Sequence, residues 1–365
     1  MFIVPINKDR KSIKKVLLFI PFLGTFLYWI TQNIVFINSG LLHPNFDVIF
    51  ACYRFNLNFL PILLLILGVI YSFVSLYLKN FRRVGVPLAL FCSLTSFSLF
   101  ALNYYITEVE PRKLLIRKVE IDSNKVTEPI TIVHFSDVQS AKIGAYEERI
   151  FKTIQKINAD LILYTGDFLQ LPKELKFKDE WSELHDLFKS LNPRFGIYAV
   201  YGDTELALYS VPKDEVLPIK ILSSKSESFS YEGGSVSIYG LSLYNSKNPL
   251  WAMRGIETWL NDHDESYFKI ILGHSPDYAL ALKESKIDLC LAGHTHGGQV
   301  RIPFYGPLTI DSEIPKKWSR GFHKIGIPYL NVSAGAGSNR YNGLPEMRFN
   351  CPTEITVLKI KPETD

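Results

Sequence analysis

His294 and His296 stand one residue apart in the stretch Leu291-Ala292-Gly293-His294-Thr295-His296-Gly297-Gly298. They follow an apolar run, 287–292, that reads as a buried strand. A strand ending in His-x-His spreads two imidazoles at its carboxyl edge, and imidazole is the commonest side-chain ligand of transition metals. The flanking glycines let backbone approach closely. Other apolar runs also end in donors: Asp137 after 130–135, Asp167 in Thr165-Gly166-Asp167 after 160–164, Asp203 in Gly202-Asp203-Thr204-Glu205 after 195–201, and His274 in Gly273-His274-Ser275-Pro276 after 268–272. Carboxylates and imidazoles at so many strand ends point to a metal centre assembled from distant segments.

Strands that hold such donors in register need helices between them. Residues 147–157 read as a helix, with Ile150, Phe151, Ile154 and Ile157 on one face, and Trp181, Leu184, Leu187 and Phe188 mark another. Strand and helix alternate, which predicts an α/β fold. In such folds ligands collect outside the carboxyl ends of the strands. His134 lies inside the first of these strands and reads as a core histidine; His185 reads as a surface residue and His263 as part of a solvated turn.

The first hundred residues differ. Three uncharged stretches, about 16–37, 57–78 and 84–106, are each long enough to span a bilayer as a helix. They define a membrane region over 1–107 and leave 110–365 for the catalytic domain. The first stretch follows Lys8, Arg10, Lys11, Lys14 and Lys15, but no small-residue cleavage site follows, so it reads as an uncleaved anchor. Basic residues crowd the N-terminus and the second loop (Lys79, Arg82, Arg83), which predicts a multi-pass membrane protein with its catalytic domain on the extracytoplasmic side. Arg112, Lys113, Arg117 and Lys118 oppose that bias, but large domains translocate largely regardless of charge.

The net charge of +4 offers no nucleic-acid footprint, so no nucleic-acid partner is expected. The four cysteines, at 52, 92, 290 and 351, form neither a CxxC pair nor a disulfide framework and read as small buried hydrophobes.

Taken together, Asp137-Val138-Gln139, Gly166-Asp167, Gly202-Asp203-Thr204-Glu205, Gly273-His274 and Gly293-His294-Thr295-His296 resemble the pattern of the calcineurin-like metallophosphoesterase family over roughly 130–360. The stretch through Gly297-Gly298-Gln299-Val300 and the tail from Leu344-Pro345 to Ile355 resemble its membrane-anchored bacterial branch, which includes lipid A precursor pyrophosphatases. The resemblance implies two mixed sheets in a sandwich flanked by helices, here preceded by transmembrane helices. It also implies two divalent ions. One would be held by Asp137, Gln139, Asp167 and His296, the other by Asp167, Asp203, His274 and His294, with Asp167 bridging. Asp167, Asp203 and His294 are the residues expected to carry the chemistry.

The pattern is broken at Gln139, Asp203 and Thr204. Gln139 replaces a histidine and Asp203 an asparagine, so the donor set gains oxygen and loses nitrogen. That favours Mn²⁺, with Mg²⁺, Fe²⁺ and Zn²⁺ as alternatives. Thr204 replaces the histidine that assists the leaving group, help typically worth about 10²–10⁴-fold. Thr204, Glu205 and Arg340 are the expected substrate contacts. The expected activity is hydrolysis of a phosphodiester or pyrophosphate, with a lipid-linked substrate suggested by the membrane spans. The alternative is a metal-binding membrane protein of the same fold with impaired catalysis.

Overall fold

A computed structural model of the chain describes residues 7–43, 45–172, 175–205, 217–340 and 343–363. Lys173, Glu174 and Tyr341 lie outside the described residues. The chain divides into two compact units, Met1–Ile106 and Thr107–Asp365.

The first unit is helical: α1 (Asn7–Leu42), α2 (Asp47–Tyr53), α3 (Leu60–Tyr77) and α4 (Arg82–Tyr104). A π-helical turn, Arg54–Phe59, joins α2 to α3 into one helical stretch. Phe19–Leu42, Asp47–Tyr77 and Lys79–Arg112 are long and apolar enough to cross a membrane. Each extends beyond an edge of the apolar run that signals it, because helical hydrogen bonding continues into the more polar flanks. Small residues let α3 and α4 pack closely: a Cβ on Gly85 would strike Ser75, and one on Gly68 would strike Ser93. The Ser96 hydroxyl donates across to the Pro61 carbonyl, 2.7 Å.

The second unit is built from two six-stranded mixed sheets. One runs in the order β1 (Leu114–Ser123), β14 (Thr353–Pro362), β2 (Ile130–Phe135), β3 (Leu161–Tyr164), β4 (Ile197–Ala199), β5 (Lys220–Ile221). The other runs β12 (Gly321–Lys324), β13 (Tyr329–Val332), β9 (Leu289–Ala292), β8 (Tyr267–Leu272), β7 (Gly234–Gly240), β6 (Lys225–Tyr231). The two short strands β10 (Arg301–Ile302) and β11 (Gly306–Pro307) form a hairpin of their own.

Alternation along the strands decides the layers. Ile130 and Ile132 of β2 and Leu161 and Leu163 of β3 share a cluster with Ile238, Ile270, Leu289 and Leu291 of the second sheet. The alternate residues, Val133, Phe135, Ile162 and Tyr164, pack with α5 (Ala145–Ile157) and α6 (Phe177–Lys189). On the far side Ile271, Cys290 and Ala292 pack with α8 (Pro249–Asn261). The architecture is therefore helix, sheet, sheet, helix. Strands buried on both faces read as continuous apolar runs, which is why β2, β3, β8 and β9 were legible in the sequence. His134 is the exception inside the sandwich. Asn331 of β13 donates to its Nδ1 (2.8 Å) and Nε2 meets the Thr165 hydroxyl (3.0 Å), a neutral link between the sheets. Burial pushes its pKa down to about 3.

The parallel strands β2, β3, β4 and β7, β8, β9 end on one edge, and the loops there meet in close backbone contact. Gly166 has φ +92°, and a Cβ there would lie 2.5 Å from the Gly202 nitrogen. Gly166→Ala should therefore destabilise the chain by about 2 kcal/mol or more, combining left-handed strain with overpacking. Chemical denaturation of the chelator-treated chain would measure it; an unchanged midpoint would show that the two loops can separate freely.

Candidate metal centre

The donors converge where the strands end. Asp137 follows β2, Asp167 follows β3, Asp203 follows β4, His274 follows β8, and His294 and His296 follow β9. Two groups result, Asp137 with Asp167 and His296, and Asp203 with His274 and His294. Within each, one ligand atom per residue lies within 4.8 Å of the others. His274 Nε2 lies 3.5 Å from Asp167 Oδ1 and 3.5 Å from Asp203 Oδ2, and His294 Nδ1 lies 3.0 Å from Asp203 Oδ2. His296 Nε2 lies 3.5 Å from Asp137 Oδ1. The Gln139 amide nitrogen donates to Asp167 Oδ2. Asp167 thus offers Oδ1 to one group and Oδ2 to the other, the disposition of a bridging carboxylate.

The backbone is bent to bring these side chains inward. Asp137 (φ 53°), Gln139 (φ 37°), Asp167 (φ 62°), His294 (φ 67°) and His296 (φ 48°) all adopt the left-handed region. Non-glycine residues seldom do so, and such outliers cluster at functional sites. Gly293 lets the His-x-His loop press on β2's end: a Cβ there would strike Ser136 and Asp137. The His294 N–H donates to Asp137 Oδ1 (3.1 Å).

Outer partners set the imidazoles. His274 Nδ1 donates to the Thr165 carbonyl (2.7 Å), which leaves Nε2 as the ligand atom. His294 Nε2 donates to the Asp311 carbonyl (3.0 Å), which leaves Nδ1 facing Asp203. Burial, helped by the Arg348 cation, pushes the His296 pKa far down, so this ring is neutral, as a ligand must be.

The charges show what the site requires. Burial pushes the Asp137 carboxyl up to about 6, the Asp167 charge adding to it. Burial would lower His274, but Asp167, Asp203 and Asp137 outweigh it and raise its pKa to about 10. Burial likewise opposes ionisation of Asp203, but His274 and His294 hold its carboxyl far below the usual range. A buried carboxylate cluster that drags a histidine into the charged form is short of cations. The Gln139 Oε1 and His274 Nε2 atoms are buried without a hydrogen-bond partner among the described residues. Oxygen and nitrogen donors aimed at one another around excess negative charge fit two divalent ions.

The three expected substrate contacts are placed otherwise. Glu205 is buried; its Oε1 accepts from the Phe168 N–H (2.7 Å) and the Thr204 hydroxyl (2.7 Å), its Oε2 from the Asp167 N–H (2.9 Å) and the Gly202 N–H. It fastens the Asp167 loop to the Asp203 loop. The carboxylate therefore has a partner network despite the missing histidine. Burial pushes it up to about 7, Asp167 adding. The Thr204 N–H donates to Asp167 Oδ1 (3.0 Å). Arg340 donates to the Gln139 carbonyl (2.8 Å) and the Gln170 carbonyl and pairs with Glu346 (2.9 Å), so it braces the Gln139 loop.

Two residues of this region carried no motif. Arg348, fully buried, donates to the carbonyls of Ala334 (2.7 Å), Gly337 and Cys351 (3.0 Å), and that segment hydrogen-bonds the carbonyls of Ser136 and Asp137. Its signal was a charge between the apolar Met347 and Phe349. Lys247 pairs with Asp203 Oδ1 at 2.6 Å and had no local signal.

A two-sheet sandwich with paired donor groups at the strand ends defines a metal-dependent phosphohydrolase. The calcineurin-like phosphoesterase profile matches residues 130–298. The chain is 30% identical over 237 residues to the metallophosphoesterase YkuE of Bacillus subtilis, covering 63% of this chain and 78% of that one. It is 28% identical over 293 residues to a metallophosphoesterase of Helicobacter pylori strain J99, covering 78% and 72%. It is 22% identical over 283 residues to the UDP-2,3-diacylglucosamine pyrophosphatase LpxG of Chlamydia muridarum, covering 63% and 83%. The chain belongs to the calcineurin-like phosphoesterase family.

The charge shortage has a pH signature. The folded pKa of His274, about 10, exceeds its ordinary 6.5, so its protonated form contributes stability that is full below 6.5 and lost as pH rises to 10. The chelated chain should lose thermal midpoint between about pH 7 and 10. Mn²⁺ at about 100 times its Kd should raise stability by about 2.7 kcal/mol and flatten that slope. Thermal melts of wild type and His274→Asn would test this; a slope that persists in the variant would assign it to other groups.

Proposed function

We propose that the chain is a membrane-anchored, dinuclear phosphohydrolase that cleaves a phosphodiester or pyrophosphate bond in a lipid-linked substrate. The observation that carries this reading is Asp167, whose two carboxylate oxygens face two separate donor groups. Asp137, Gln139, Asp167 and His296 would hold one ion, and Asp167, Asp203, His274 and His294 the other. Two divalent ions there would clamp the phosphoryl oxygens and generate a nucleophile from water at neutral pH. The oxygen-rich donors favour Mn²⁺.

The protein's own groups set the rest. Glu205 holds the Asp167 backbone N–H and the Thr204 N–H donates to Asp167 Oδ1, so the bridging carboxylate keeps its orientation. The outer hydrogen bonds of His274 Nδ1 and His294 Nε2 turn the other ring nitrogen of each toward the centre, where ions would take the place of protons, and His296 is neutral already. No imidazole stands at position 204 to protonate a departing oxygen. That absence suits a leaving group stable as an anion, such as a phosphate. LpxG, named for a pyrophosphatase activity on a diacylated sugar nucleotide, supports a pyrophosphate in a lipid-linked substrate. The helices long enough to cross a membrane support a substrate held in the bilayer plane. The Lys and Arg bias supports a domain on the extracytoplasmic side, which suits a lipid phosphate.

The full chain in detergent with Mn²⁺ should hydrolyse bis-p-nitrophenyl phosphate. Asp167→Ala or chelator should abolish the rate, a loss of at least about 10³-fold. Thr204→His should raise turnover of esters with poor leaving groups by about tenfold or more. No turnover with Mn²⁺, Mg²⁺, Zn²⁺ or Fe²⁺ would refute the activity. Reporter fusions at the C-terminus should be active only in the extracytoplasmic form; a cytoplasmic signal would redirect the substrate toward nucleotide-linked lipids.

A further inference from the structure

Asp203 is the donor that faces outward: its side chain is 39% exposed, while those of Asp137 and Asp167 are enclosed. Its carboxylate is divided. Oδ2 faces His294 and His274, and Oδ1 accepts from Lys247 Nζ at 2.6 Å. Lys247 lies between α7 (Leu243–Ser246) and α8, in the connection that follows β7, on the edge where the donors converge. Its side chain is 38% exposed. A lysine ammonium has three N–H donors. Among the described residues only Asp203 takes one, which leaves two for a ligand at the mouth.

The arginines nearby are differently engaged. Arg340 is committed to the Gln139 and Gln170 carbonyls and Glu346, and Arg348 to the carbonyls of Ala334, Gly337 and Cys351. The family pattern has a neutral asparagine where Asp203 stands and an imidazole where Thr204 stands. This chain has one more negative charge and one fewer proton donor. A cation on Asp203 offsets the first change, and its free N–H groups can offset the second.

We propose that Lys247 is a catalytic residue that donates hydrogen bonds to the phosphoryl or leaving-group oxygen while its contact with Asp203 holds it over the metal centre. The inference rests on the phosphohydrolase reading above and deepens it. In hydrolysis the water oxygen bonds to phosphorus and one of its protons passes to solvent, while the bond from phosphorus to the leaving oxygen breaks with its electron pair on that oxygen. The Lys247 ammonium stabilises that developing charge, and the leaving group departs as an anion without taking the lysine proton. Preorganised cations aimed at developing charge are a large term in phosphoryl transfer. The specificity that follows is for leaving groups carrying anionic oxygen, as in pyrophosphates.

The test uses the full chain with Mn²⁺ and aryl phosphodiesters whose phenols span a range of acidity. Lys247→Ala should lose at least tenfold more rate on the least acidic phenol than on p-nitrophenol, and Lys247→Arg should recover part of the difference. Calorimetry should show two Mn²⁺ bound per chain in Lys247→Ala, with inorganic phosphate binding about tenfold weaker than in wild type. Equal losses on every phenol together with unchanged phosphate affinity would overturn the proposal. So would a Lys247→Ala chain that binds fewer Mn²⁺ and loses all substrates alike, since that result makes Lys247 structural. A wild type that hydrolyses none of the esters would refute the phosphohydrolase reading, and phosphate affinity would then decide Lys247 by itself.

Discussion

Like charges brought together out of water are the constraint around which the second unit is built. Asp137, Asp167 and Asp203 converge with Glu205 behind them, and three of these four are buried. An isolated buried carboxylate is expensive unless it is paired or ligates a metal. The fixed cations in the region do not neutralise the cluster. Arg340 and Arg348 spend their donors on backbone carbonyls, and Lys247 reaches only the outer oxygen of Asp203. The burden falls on His274, whose raised pKa is the internal sign of a missing counter-charge. Divalent ions answer that requirement without any change of fold.

Such a cluster survives only on a stiff support. Left-handed backbone at five donor residues costs of order 1–3 kcal/mol each, and something must hold it there. The sandwich does so in layers. β2, β3, β8 and β9 are buried on both faces, so their carboxyl ends cannot shift without opening a core. Glu205 ties the loops after β3 and β4 to each other. Arg348 holds the segment that grips the loop after β2. Strain at the donors is thus balanced by packing and hydrogen bonds one layer out.

The sequence revealed most of this where local pattern and chemistry coincide. Buried parallel strands appear as apolar runs, and donors at their ends stand out, so β2, β3, β8, β9 and the groups after them were legible. Edge strands were not. β1 alternates charged and apolar residues, and its place beside β14 depends on a pairing across more than 200 residues. Glu205 was legible as an acid but not as a brace, because its partners are backbone N–H groups that have no sequence signature. Arg340 was expected at the substrate; its hold on the Gln139 and Gln170 carbonyls comes from tertiary contact and has no local signal. Lys247 was invisible because its meaning comes only from proximity to Asp203.

The departures from the family pattern become coherent when charge is counted around Asp203. An asparagine there would leave Lys247 an unbalanced cation at the mouth, and an aspartate without Lys247 would add to an already excessive negative charge. Together they keep the local sum near that of the neutral residue while placing an N–H donor at the rim. A lysine differs from a histidine at position 204 in offering three N–H donors on one ammonium, enough to hold Asp203 and reach a departing oxygen together. A site so arranged gains from oxygens that leave as anions and gains little from those that must leave protonated. On the proposed role of Lys247, replacing one imidazole by an ion pair would narrow the chemistry rather than abolish it, through residues that no linear motif would connect.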